Sequence, residues 1–388
     1  MPWKTGSVMD QRIEFVVRAR RKEGPLARLC REFGISRQCG YEWLRRYREA
    51  GSVSGLAERS RRPQHSPRRT SAEVEEAVAA LRREYGWGAR KLQVLLGREG
   101  VVLEEWTINR ILARAGLIPP RAARRQATRR FVREQPNQLH QLDFKGEYRI
   151  AEGWCYPLSL LDDHSRYLVG LWALPSQRTA CVQQALESLF RAEGVPQALL
   201  LDRGVPWWAN SNGHGLSRLG VWLMNQDIEL IFGAPRHPQT RGKVERLHRT
   251  LGERTAHAGV PRTLAGWQRW VEQFRREYNE LRPHEALGLR PPAHCYTRQN
   301  LRPYQDPPPE YDYSGAPTRT LDAGGFVSLE GGRYFVCEAL AGQRVRLDEV
   351  EGLLVVTYRS TTLREIELRT GRSAAVRLPP AKVSPMSC

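Results

Sequence analysis

A chain of 388 residues exceeds one ordinary domain and points to roughly two to four. Its 40% hydrophobic and 9% aromatic content can build packed cores, which excludes a disordered chain. Lysine plus arginine number 61 against 42 acids, and the net charge of +19 implies a polyanionic partner bound by salt-sensitive contacts.

The first predicted elements lie within residues 10–50. Ile13, Val16 and Val17 fall at helical spacing, LARLCREFG stops at Gly34, and Ser36 can cap SRQCGYEWLRRYREAG. Two short helices joined through a glycine turn form a helix-turn-helix, whose second helix presents its early residues to base edges. Ser36, Arg37, Gln38 and Tyr41 are those residues, and the domain spans 1–58. A generic helical pair would show the same periodicity. RSRRPQHSPRR at 59–69 carries five arginines and no acid, as expected of an extended linker that tracks phosphates.

Thr70 and Glu73 resemble a capping box opening a helix through about Arg83. The segments WGARKLQVLLGREG and EEWTINRILARAGL then complete a second helix-turn-helix domain, 70–118. Leu92, Leu95 and Leu96 belong to its core, and Thr107, Asn109 and Arg110 are candidates to face DNA. A second basic linker occupies 119–136.

From Asn137 the pattern is α/β. QLHQLDFKGEYRI, WCYPLSLLDD and YLVGLWAL read as an antiparallel meander, followed by a helix, the strand QALLLD, a helix, the strand IELIF and two long helices. This is the order of a ribonuclease-H-like fold over 137–300. A proline-rich linker at 301–317 leads to alternating strands over 318–372, with a Gly-Gly hairpin turn. A small SH3-like β-barrel and a loose tail at 373–388 are expected. The fold class is thus multidomain: N-terminal all-α helix-turn-helix modules, a central α/β ribonuclease-H-like core and a C-terminal small β-barrel. No apolar run nears the roughly 18 residues of a spanning helix, and MPWKTGSVMD lacks the apolar centre of a signal peptide. The seven cysteines contain no CxxC pair, so buried free thiols in a reducing cytoplasm are expected.

Three carboxylates stand apart: Asp143 in HQLDFKGEY, Asp202 in LLLDRG, and Glu245 in HPQTRGKVERLHRTL. Acids at strand ends suit hard divalent cations, and a pair of such ions supports in-line phosphoryl transfer. Each acid taken singly is as readily an arginine partner or a cap.

HQLDFKGEY, LDRGVPWW and HPQTRGKVERLHRTL together resemble the integrase core of bacterial insertion-sequence transposases, which are related to retroviral integrases. The N-terminal LCREFG region and the C-terminal GGRYFV strands resemble the same proteins. By that resemblance Asp143, Asp202 and Glu245 form a catalytic and metal-binding triad for two Mg²⁺ ions, with Mn²⁺ as a substitute. Lys243, Arg246 and Arg249 would then meet DNA phosphates. The implied partners are the double-stranded DNA of element ends and target, with a homo-oligomer assembled on it, in a cytoplasmic, nucleoid-associated setting and with no membrane. The implied reaction frees a 3′-OH at the element end and joins it to target DNA. Two departures stand out: Arg203 replaces the family's usual asparagine, and Gly252 replaces a common basic residue, for which Arg249 or Arg254 could substitute. An arginine paired with Asp202 would compete with metal, so a silent DNA-binding protein is the alternative, and a nuclease that cuts without joining is another.

Overall fold

The computed structural model describes residues 7–59, 69–118, 132–209, 215–233, 242–329 and 331–376. Most of both arginine linkers, HPQTR at 237–241, His214 and the tail from 377 therefore lie outside the described residues. The chain divides into two compact units, Met1–Thr70 and Ser71–Cys388.

In the first unit, α1 (Val8–Arg20), α2 (Leu26–Glu32) and α3 (Arg37–Ala50) pack around Phe15, Val16, Leu29, Cys30 and Leu56. Val17, expected on the apolar stripe, is 39% exposed, and Phe15 takes the buried place beside Val16. Gly34 turns the chain with φ of 64°, and Ser36 Oγ accepts from Cys39 N at 3.1 Å to start α3. Gly40 lets the helices touch, because a Cβ there would lie 2.6 Å from Cys30 Sγ and 3.0 Å from Phe15 Cζ.

The second unit opens with α4 (Ala72–Tyr85), α5 (Ala89–Arg98) and α6 (Glu105–Arg114) around Val78, Leu92, Leu96, Ile108 and Leu112. Its cap is Ser71, which accepts from Val74 N, rather than Thr70. Two adjacent hydroxyl residues offer the same local chemistry, and the register of the helix selects the second.

The central sheet contains β1 (His140–Phe144), β2 (Tyr148–Ile150), β3 (Gly153–Asp162), β4 (Leu168–Leu174) and, after α7 (Thr179–Glu193), β5 (Ala198–Leu201). A two-residue pair, β6 (Trp208–Ala209) and β7 (Gly215–Leu216), precedes α8 (Arg218–Asn225) and β8 (Glu229–Phe232). Strand β3 pairs antiparallel with β1, β2 and β4, while β1, β5 and β8 run parallel. The single first strand expected from the sequence is broken at Gly146 (φ 109°) into β1 and β2.

Helices α7 and α8 cover one face through Val182, Leu186, Phe190, Leu219 and Leu223. Helices α9 (Gly242–Ala258) and α10 (Leu264–Arg276) cover the other through Val244, Leu247, Leu251, Trp267 and Val271. The α4–α6 module is joined to this second layer: Arg254 Nη1 donates to Glu84 O at 2.8 Å and Arg98 Nη1 to Leu281 O at 3.2 Å.

At the C-terminus, β9 (Thr318–Thr320), the hairpin β10 (Phe326–Leu329) and β11 (Gly332–Phe335), β12 (Arg344–Val350), β13 (Leu353–Tyr358), β14 (Thr361–Glu367) and β15 (Ser373–Ala375) complete the chain. The expected closed barrel is not found among the described residues. The five-stranded order β15-β14-β13-β12-β9 stays open, and the hairpin forms a separate two-stranded sheet. Its apolar face is covered by the hairpin and by Leu216, Val221 and Met224 of the core, which removes the need to close on itself. The six described cysteines are free, and Cys39, Cys181 and Cys295 are half-buried where burial was expected. No described helix is long and apolar enough to cross a membrane.

Candidate functional site

The parallel pairing of β1 with β5 sets His140 opposite Leu199 and Gln141 opposite Leu200. Two further steps in the same register bring Asp143 level with Asp202, at one end of adjacent strands. Asp202 Oδ1 accepts from Gly204 N at 2.9 Å and from Trp207 Nε1. A Cβ at Gly204 would lie 2.9 Å from that oxygen and would displace the carboxylate from this position. Trp207 is buried and stacks on Phe144 with ring centroids 5.4 Å apart, so the Asp202 turn is locked against the strand end carrying Asp143.

The first turn of α9 reaches the same strand. Val244 N donates to Gln141 Oε1 at 3.2 Å, and Gln141 Nε2 donates to Asp163 Oδ1 at 2.8 Å. Lys243 Nζ lies 2.5 Å from Asp163 Oδ1. Burial pulls the Lys243 ammonium down to about 8, opposed by Asp163. This lysine, expected at DNA, is therefore engaged inside the protein. Glu245 is exposed in the same turn. One turn further, His248 Nδ1 stands 3.6 Å from Asp143 Oδ2, and its Nε2 lies 2.8 Å from Ser159 Oγ.

Asp143 and Asp202 thus stand at the ends of adjacent strands, and Glu245 lies exposed on the helix turn tied to β1 at Gln141. Carboxylate oxygens in such a placement fit a hard divalent cation in type. A group of three or more His, Cys, Asp or Glu side chains close enough to hold an ion is not found among the described residues.

Arg203 does not pair with Asp202 among the described residues; its guanidinium lies over Trp208, 4.9 Å from the ring centroid. Of the substitutes for a basic residue at Gly252, Arg254 is engaged with Glu277 at 3.0 Å and with Glu84 O. Arg249 is well exposed beside Glu253, and Arg246 is exposed 3.7 Å from Glu285. Sequence reasoning missed Lys145, whose Cε passes 3.7 Å from where a Cβ at Gly252 would stand. No local pattern reports a contact between residues so far apart in the chain.

On the helical modules, Arg37, Gln38 and Tyr41 are exposed together at the start of α3. Ser36 is exposed too, with its hydroxyl used as the cap. On α6, Asn109 and Arg110 are exposed and Thr107 is half-buried. Arg110 lies over Trp106, 5.2 Å from the ring centroid, and that tryptophan is 59% exposed.

Residues 11–64 match a helix-turn-helix domain model, and 39–112 a homeodomain-like domain model. Residues 133–238 and 226–292 match two integrase core domain models. The class of protein is therefore one that joins helix-turn-helix DNA-binding domains to an integrase core.

The chain is 25% identical over 238 residues to the insertion element IS407 uncharacterized 31.7 kDa protein of Burkholderia multivorans, covering 60% of this chain and 82% of that one. It is 29% identical over 241 residues to the putative transposase y4bF of Sinorhizobium fredii, covering 55% of this chain and 51% of that one. It is 24% identical over 302 residues to the insertion element IS476 uncharacterized 39.2 kDa protein of Xanthomonas euvesicatoria, covering 75% and 79%. Domain matches and relatives together support a bacterial insertion-sequence transposase with an integrase-like core.

Proposed function

We propose that this chain binds the ends of a mobile DNA element, cuts them to expose 3′-OH groups and joins those groups to target DNA. The observation that carries this reading is the register of β1 and β5, which sets Asp143 level with Asp202 while the α9 turn bearing Glu245 is fixed to the same strand. Asp143, Asp202 and Glu245 would hold two Mg²⁺ ions, or Mn²⁺ in their place. Divalent cations bound there supply the charge that activates an attacking oxygen and steadies a leaving one.

The remaining roles belong to the chain's own residues. Arg246 and Arg249 on the exposed side of α9, with Lys145 beside Gly252, fit contacts to the phosphates flanking the scissile bond. Arg37, Gln38 and Tyr41 would read base edges in a major groove, and Asn109 and Arg110 a second stretch of the same end. A homo-oligomer on DNA follows from the need to bring two ends together. The silent DNA-binding alternative drew its force from an Arg203–Asp202 pair, and the stacking of Arg203 on Trp208 weakens it.

Incubation of the purified protein with its flanking DNA ends, a target duplex and Mg²⁺ tests the proposal. Cut ends and joined products are expected from the wild type and from neither Asp143→Asn nor Glu245→Gln. Cutting without joining would favour a nuclease.

A further inference from the structure

The function proposed above gives no role to two buried polar side chains between α9 and the sheet, His248 and Ser159. Ser159 sits on β3 directly opposite Asp143 in the antiparallel register and is fully buried. Its hydroxyl donates to Asp143 O at 3.1 Å. With its one proton committed there, Ser159 Oγ must accept from His248 Nε2, 2.8 Å away. The same ring turns Nδ1 toward Asp143 Oδ2 at 3.6 Å. Beyond its first turn, where Val244 N meets Gln141 and Lys243 meets Asp163, the contacts of α9 around His248 are apolar, through Leu247 and Leu251. Such contacts hold a helix against a sheet but tolerate small slides and rotations, whereas a satisfied buried polar network specifies one placement. His248 follows Glu245 by three residues, so the two side chains share a helix face one turn apart.

We propose that His248 and Ser159 are positioning residues that fix the distance between Asp143 and Glu245. They form a strut from the helix carrying one acid to the strand carrying the other. The inference rests on the reading that these acids hold a divalent cation. The plainer account is a core histidine whose hydrogen bonds merely fill a packing position.

Titration of the full-length protein with Mn²⁺, followed by electron paramagnetic resonance of the free ion, separates the two. His248→Ala and Ser159→Ala should each weaken Mn²⁺ binding by about 10–100-fold, as loss of groups that orient metal ligands does elsewhere. His248→Gln, which can still donate to Ser159, should recover most of that affinity, while His248→Leu of similar bulk should not. Ser159→Ala removes few atoms and keeps the test open if a His248 variant folds poorly. Equal affinities for the Gln and Leu variants would overturn the strut. So would unchanged binding in His248→Ala and Ser159→Ala when Asp143→Asn has lost it, and the proposed function would survive. Unchanged binding in Asp143→Asn would remove the reading of the carboxylates and this inference with it.

Discussion

Arg203 lays its guanidinium over the ring of Trp208 at 4.9 Å, leaving the adjacent Asp202 to bond with Gly204 and Trp207. A cation on an aromatic face contributes about 0.5–1 kcal/mol when exposed and about 2 when desolvated. Arg203→Asn should therefore lower stability by roughly 0.5–2 kcal/mol and leave strand joining within a few-fold of wild type. Chemical denaturation and a joining assay on the same preparation check both parts. Complete loss of joining with normal Mg²⁺ binding would make Arg203 a DNA contact.

Lys243 provides a second test, because its ion pair with the fully buried Asp163 predicts a fold role. Removing one member of a buried pair costs about 3–5 kcal/mol, since the other charge is left unmatched. Lys243→Met should show a loss of that order in denaturant melts. The salt dependence of DNA binding by the folded fraction should be unchanged. A shallower salt slope with unaltered stability would assign the lysine to phosphate instead.

The helix-turn-helix part and the integrase core can be tested against one another by mixing variants. Arg37→Ala with Tyr41→Ala removes two exposed residues from the start of α3, and one lost base contact costs roughly 1–3 kcal/mol of discrimination. If protomers share work on a pair of ends, this variant mixed with Asp143→Asn should recover joining that neither shows alone. Absence of recovery across mixing ratios would mean that each protomer serves only the end it holds.

Acid should destabilise the core through His140. Burial holds this imidazole down at about 4, against an ordinary value of 6.5. Its Nε2 contacts Asn137 Oδ1 at 2.9 Å. An unfolded chain takes up a proton near 6.5 while the fold resists it, so the stability present above 6.5 is lost as pH falls toward 4. The full effect is roughly 3 kcal/mol. His284, held at about 3 chiefly by burial, acts in the same direction. Melting temperatures between pH 7 and pH 4 check this, and His140→Gln, which cannot titrate, should flatten part of the slope. Parallel curves for the two proteins would sink the assignment to His140.

Much of this was legible in the sequence because it is local. Helix period and capping chemistry located α2 and α3 and put Arg37, Gln38 and Tyr41 on an exposed face. Strand ends marked Asp143 and Asp202 as acids without an obvious local role. The small misplacements, Val17 for Phe15 two positions away and Thr70 for the adjacent Ser71, arose where nearby residues of similar chemistry compete and tertiary contacts choose. Lys145, Lys243 and the His248–Ser159 pair were not legible, since each is defined by a partner far along the chain. The C-terminal sheet failed for a related reason: alternation reports that one face is buried, but not whether a helix or another strand covers it.

The junction of α4 with α9, through Arg254 and the Glu84 carbonyl, bears on how such a protein can change its DNA address. Residues 1–70 form a compact unit of their own. The α4–α6 module belongs to the same unit as the core, and a replacement would need to reproduce the acceptor at Glu84 and the Arg98 contact to Leu281. Exchange of α4–α6 as a whole would therefore break its seat on the second helical layer, whereas substitutions on the exposed face of α6 would leave that seat intact.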